Sequence, residues 1–204
     1  MNNTLLVTFA IAIFLSGCKL IASVPLNESC TKEISTRCQD GTIYARKSPD
    51  SDTPLFMMPC DVGMSEKNGE CTGMGNTYSW GTYGVTTGYN DPEAGKSNTA
   101  DLIAQYGNYN DSAGVVGVPA ARACADQTFG GHHDWYLPSR FEFPNLNGEL
   151  GKWGFGIRCS NNGGCYGQQT YWTSTEYDDD TVFIGGGEFP HLKTNNHRVR
   201  CVRR

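Results

Sequence analysis

The chain has 204 residues, 16 Lys and Arg against 21 Asp and Glu, a formal net charge of -5 and a pI near 5.3. That acidic balance excludes nucleic acid as the main partner, because phosphate neutralisation calls for a basic face. A content of 25 Gly, 11% aromatic and only 18% charged residues points away from a helical bundle and toward a loop-rich domain containing β-structure.

The first element is Leu5 to Leu15, LLVTFAIAIFL, apolar except for Thr8. A membrane-spanning helix needs ~20 such residues; this shorter run suits the apolar core of a signal peptide. Leu15-Ser16-Gly17-Cys18 follows and resembles the lipobox of bacterial lipoproteins, in which the cysteine takes a diacylglycerol and the chain is cut just before it. Each buried methylene contributes ~0.8 kcal/mol, and two or more chains anchor stably. Met1-Asn2-Asn3-Thr4 carries no Lys or Arg, so the alternative is an ordinary cleaved signal peptide with Cys18 unlipidated. Lys19 after the cysteine resembles outer-membrane lipoproteins. The organisation expected is a signal peptide over 1–17, a lipidated tether over 18–29 and one domain over 30–204. The protein would be exported and held at a membrane, the outer one, through lipid.

Setting Cys18 aside leaves Cys30, Cys38, Cys60, Cys71, Cys124, Cys159, Cys165 and Cys201. An even number in an exported chain reads as a disulfide framework. Zinc would need paired CxxC-like spacings, which are absent. The preferred pairing joins near neighbours, Cys30–Cys38, Cys60–Cys71 and Cys159–Cys165, and leaves Cys124–Cys201. That long bridge should stabilise most, ~4.5 kcal/mol against ~2.4 for the shortest loop.

Further along, Gly41–Ala45 reads as a strand, Ser48–Pro54 as a turn and Leu55–Met58 as a second strand. Residues 61–95 look like short strands joined by Gly- and Asn-rich turns. Asn98 or Thr99 could cap a helix with Leu102, Ile103 and Tyr106 on one face. Pro119 opens a second helix. Ser139-Arg140-Phe141-Glu142 fits a capping box for a third, which Pro144 should keep short or kinked. Tyr171–Tyr177 and His197–Val202 alternate at period two, and Thr181–Ile184 is rich in β-formers. The expectation is an α+β domain, helices packed on an antiparallel sheet.

Few motifs carry chemistry. Ala94-Gly95-Lys96-Ser97 lacks the first glycine of a phosphate loop and reads as a turn into a helix. His132-His133-Asp134 and the scattered His191 and His197 have no ligand spacing. Asp178-Asp179-Asp180 could take Ca²⁺ but fits a solvated hairpin tip better. Arg198, Arg200 and Arg204 would share a strand face, either meeting an anionic ligand or balancing that acidic hairpin. No GxSxG element is present, and no metal, cofactor or catalytic set is expected.

Asp134-Trp135-Tyr136-Leu137-Pro138-Ser139 with Glu142, Tyr171–Tyr177 and Val199–Arg204 together resemble the Lcl C-terminal domain family, named for the last domain of a bacterial collagen-like adhesin. Gly41–Ala45, Asn98-Thr99 and Ala120-Ala121-Arg122-Ala123-Cys124 also match its pattern, so the resemblance covers roughly 40 to 204. It implies a single C-type-lectin-like domain with two or three short helices, loop-rich and disulfide-stapled. It supports Cys124–Cys201 as a helix-to-sheet staple and implies that Trp135 and Trp172 fill the core. Two features depart from the family: Phe143-Pro144 after the capping box, and the Cys159–Cys165 insert.

The function expected is a non-enzymatic binding or adhesion lipoprotein recognising a carbohydrate, a glycosaminoglycan or another surface ligand. Candidate contacts are Tyr166, Gln168, Tyr177 and Asp178–Asp180, with Arg198 and Arg200 for an anionic ligand. The alternatives are an oxidase-like enzyme related to formylglycine-generating enzymes, which needs free cysteines, and a structural envelope lipoprotein binding another protein.

Overall fold

The computed structural model describes residues 28–143, 170–185 and 189–204. The signal segment, Cys18, Pro144, Cys159, Cys165, Tyr166 and Gln168 lie outside them. Among the described residues no helix is long and apolar enough to cross a membrane.

The first predicted strand pair forms as β1 (Ile43–Lys47) and β2 (Pro54–Met57), antiparallel, with a register shift between Tyr44 and Arg46. Ile43, Tyr44 and Ala45 are all buried, because both sides of the pair are covered. Ile43 and Ala45 cluster with Leu55, Met57 and Tyr136. Tyr44 and Phe56 lie against the Cys30–Cys38 disulfide. The disulfide loop thus supplies a second layer that so short a sheet could not otherwise provide.

One small hairpin and a short strand follow. β3 (Ser65–Lys67) pairs with β4 (Glu70–Thr72), tied down by Cys60–Cys71. β5 (Thr77–Tyr78) leads to the helices α1 (Gly95–Tyr106) and α2 (Pro119–Ala125). The last third gives β6 (Trp172–Glu176), β7 (Thr181–Ile184), β8 (Pro190–Leu192), β9 (His197–Arg198) and β10 (Val202–Arg203). The protein is mixed α+β, as expected. Among the described residues the strands nevertheless form four small sheets, β1-β2-β10, β3-β4, β5-β9 and β6-β7-β8, where one sheet was expected.

The end of the chain explains the division. The alternation over His197–Val202 predicts one strand, but the chain changes partners within it. His197 and Arg198 pair with β5, whereas Val202 and Arg203 pair with β2. Val199, Arg200 and Cys201 between them are 0%, 1% and 0% exposed. Cys201 is fixed to Cys124 of α2, so the segment crosses the interior and neither of its faces meets solvent. The alternation in Tyr171–Tyr177 is overridden too: all five β6 residues are buried.

The helices correct two further expectations. α1 begins at Gly95, ahead of Asn98 and Thr99, with no side-chain cap. Asn98 instead donates to the Asp91 carbonyl (2.8 Å). The Thr99 hydroxyl exchanges two 3.1 Å hydrogen bonds with the Leu137 backbone. The Thr99 bonds clamp α1 to the Asp134–Ser139 segment, and the Asn98 bond ties it to the loop that precedes it. The third helix is a single turn among the described residues: Ser139 N–H donates to Glu142 Oε2 (3.0 Å), Glu142 N–H to Ser139 Oγ (3.3 Å) and Phe143 N–H to the Ser139 carbonyl (2.9 Å). Gly95 sits against this turn, where an added Cβ would strike the Glu142 carboxylate and the Ser139 nitrogen. The glycine of the Ala94–Ser97 motif is thus required by packing. α2 starts at Pro119 as predicted.

Trp80, Trp135 and Trp172 are 1%, 3% and 0% exposed, in one cluster with Leu102, Leu137 and Val182. Their indole N–H groups donate to the carbonyls of Thr173, Phe129 and Tyr78, satisfying the polar atom that burial of a tryptophan would otherwise strand.

Candidate ligand-binding face

The β6–β7 hairpin is held from beneath by a buried ion pair. The Lys193 ammonium, 0% exposed, lies 2.6 Å from Glu176 Oε1. It also donates to the carbonyls of Val85 (2.8 Å) and Thr82 (3.5 Å) and lies 5.2 Å from the centre of the Trp80 ring. Glu176 accepts further hydrogen bonds from the backbone N–H groups of Thr87 and Gly88, each at 2.9 Å. Burial pulls the Lys193 pKa below its ordinary value against the opposing pull of Glu176. Thr82 supplies its carbonyl from a left-handed conformation (φ 57°), strained for a β-branched residue. The sequence gives no sign of this cluster, because Lys193 stands in an otherwise polar run.

Above this anchor the hairpin exposes an apolar face. Val182 and Ile184 of β7 point inward, so Thr181 and Phe183 face out. Directly opposite them on β8 are Leu192 and Pro190, which therefore share the outer face. Tyr177, 58% exposed, stacks edge-on against Phe183 at 5.2 Å, and the Arg140 guanidinium lies 4.0 Å over the same ring. Phe189, beside Pro190 in the chain, is 76% exposed.

The acidic tip borders this face. Asp178 Oδ1 accepts from the N–H of Asp180 (3.0 Å) and from the N–H and hydroxyl of Thr181 (2.7 Å each). The Thr181 hydroxyl leads these bonds in lowering the Asp178 pKa against partial desolvation. Asp178 therefore shapes the turn, Asp179 is exposed, and Asp180 lends its carbonyl to Lys193 N–H (2.8 Å).

The arginines depart from the shared strand face expected of them. Arg200 is 1% exposed, with Nε 2.7 Å from Asp61 Oδ1 and Nη1 donating to the Pro59 carbonyl. Arg198 Nη1 reaches Asp61 Oδ2 (2.8 Å), which the Tyr171 hydroxyl also approaches (3.2 Å). Arg203 pairs with Asp134 and Arg204 with Asp50. Charge balance is met, by Asp61, Asp134 and Asp50 and not by the acidic hairpin. The physical reason is the change of partner after Arg198, which carries Arg200 indoors.

The histidines separate. His132 Nε2 lies 2.8 Å from Asp40, and His133 is exposed. His191 and His197 touch at 2.9 Å, with His197 Nδ1 2.5 Å from the Thr170 hydroxyl. Burial, with His191 adding to it, pushes the His197 pKa down to about 4. Among the described residues no three His, Cys, Asp or Glu side chains converge as metal ligands. Six cysteines are bonded as Cys30–Cys38, Cys60–Cys71 and Cys124–Cys201, matching three expected pairs. The fourth, Cys159–Cys165, lies outside the described residues.

No protein-family model matches the chain, and no curated protein is significantly similar to it. The resemblance to the Lcl C-terminal domain therefore rests on its motif blocks.

Proposed function

We propose that this chain is an exported, membrane-anchored binding lipoprotein. In this reading its C-type-lectin-like domain recognises a carbohydrate, including glycosaminoglycan chains, without catalysis. The supporting observation is the outer face of β6-β7-β8, where Tyr177, Phe183 and Leu192 form an apolar platform bordered by Asp179. Aromatic faces take the C–H side of a sugar ring, while carboxylates and amides take its hydroxyls. Tyr166, Gln168 and the Asp178–Asp180 tip complete the proposed contacts. Arg198 and Arg200 act in this reading through Asp61, as supports.

The test is a glycan panel on the full purified chain, with Tyr177→Ala as the variant. The reading expects binding that falls at least about tenfold in the variant, a loss of some 1.4 kcal/mol, within the range for an aromatic contact plus its buried area. A panel without hits, or equal binding by the variant, overturns it. A second reading, a protein partner at the same face, is favoured by exposed Phe189 and Leu192. Co-purification of an envelope protein lost in Leu192→Asp, with no glycan binding, would establish that instead.

A further inference from the structure

A concavity lies apart from the hairpin residues and is built from three distant parts of the chain. The β1–β2 turn contributes Ser51 and Thr53, β2 contributes Pro54 and Phe56, the first turn of α1 contributes Lys96, and Arg204 follows β10. It is an open cleft of about 440 Å³, within the size range of small-molecule sites.

Its chemistry is divided. Pro54, half-buried, gives an apolar wall backed by the buried Phe56 ring. The Ser51 and Thr53 hydroxyls lie 2.9 Å apart and can each donate or accept. Arg204 is fixed in direction because Nη1 is held by the Asp50 carboxylate and by Ser51 Oγ, while its buried Nε has no hydrogen-bond partner among the described residues. Lys96 is exposed and makes no ion pair among the described residues. Its neighbour Asp134 is already engaged by Arg203 at 2.8 and 3.2 Å. Glu142, which also acts on Arg204, is buried, and desolvation raises its pKa. The acids around the cleft are thus engaged by other groups, Asp134 by Arg203, Asp50 by Arg204, and Glu142 by Ser48, Tyr136 and Ser139, and Lys96 forms no ion pair among the described residues.

We propose that this cleft binds a small organic anion, with an anionic oxygen group at Lys96 and Arg204 and a compact body laid on Pro54. The fixed guanidinium sets the direction of the anionic group, Lys96 supplies the uncompensated charge, and the two hydroxyls bind polar groups on the body. The site is independent of the hairpin face, and neither needs the other.

Isothermal titration of the full chain with galacturonate, benzoate and inorganic phosphate tests the assignment. Galacturonate or benzoate should bind, phosphate at least about tenfold more weakly because it leaves the apolar wall unused. Lys96→Glu should weaken the organic anion at least about tenfold, as loss of a charged hydrogen bond does, and Lys96→Arg should retain it. Lys96 is exposed, and an unchanged melting temperature in Lys96→Glu establishes that the variant is folded. Absence of organic-anion binding, phosphate binding of equal strength, or unchanged affinity in Lys96→Glu would each overturn the proposal. Tyr177→Ala should leave this binding intact, which separates it from the glycan reading.

Discussion

Replacing Lys193 with Met keeps the length and apolar stem of the side chain and removes only its charge. It leaves the Glu176 carboxylate 2% exposed, with the backbone N–H groups of Thr87 and Gly88 but no cation. Removing one partner of a buried pair costs about 3–5 kcal/mol, and the two remaining donors place this site toward the lower end. At about 2–4 °C per kcal/mol for a domain of this size, the melting temperature should fall by about 6–12 °C. Glu176→Gln combined with Lys193→Met removes both charges, so it should lose at least about 1 kcal/mol less than the two single changes added together. Lys47→Met is the control: Lys47 and Asp52 also pair at 2.8 Å, but both side chains are mostly exposed, and surface pairs contribute about 0–1 kcal/mol. Calorimetry and urea titration followed by tryptophan fluorescence provide the readouts. If Lys193→Met stays within about 1 kcal/mol of the parent and the double change is additive, the pair does not anchor the hairpin.

Two other perturbations have defined outcomes. Gly95→Ala puts a methyl group against the Glu142 carboxylate and the Ser139 nitrogen, so thermal unfolding should report a loss of about 1–3 kcal/mol, the range for overpacking; an unchanged melting temperature would mean that the capping-box turn yields freely. His197 should titrate near 4, against an ordinary 6.5, in an NMR titration of its ring protons. Between those values the unfolded chain binds the additional proton, so this histidine's contribution is present above pH 6.5 and lost as pH falls toward 4. A midpoint near 6.5 would refute the burial argument.

Much of the domain was legible because its signals are local. Pro119 as a first helical residue, the strand Thr181–Ile184 and the hairpin tip at Asp178–Asp180 each depend on a few neighbouring residues, and each is found in place. The three disulfides within the described residues match the pairing that spacing and count favoured. The capping box was legible as hydrogen bonds but not as a helix, since Ser139 and Glu142 form their reciprocal contacts in one turn.

What the sequence could not disclose are contacts whose partners lie far apart in the chain. Period-two alternation assigns faces only when one side of a strand meets water. It therefore failed at β6, buried on both sides, and at Val199–Cys201, which crosses between sheets. Asp61 lies 139 residues from Arg200, Lys96 and Arg204 meet at one cleft from opposite parts of the chain, and Lys193 finds Glu176 across the β6-β7-β8 sheet. Composition and local pattern determined an α+β body, the turn at Asp178–Asp180 and the start of α2 at Pro119, and cysteine spacing favoured the three described disulfides, because those depend on backbone preferences and near neighbours. Tertiary structure alone decided which charges are buried and paired and which remain available, because desolvation depends on every segment packed around a group.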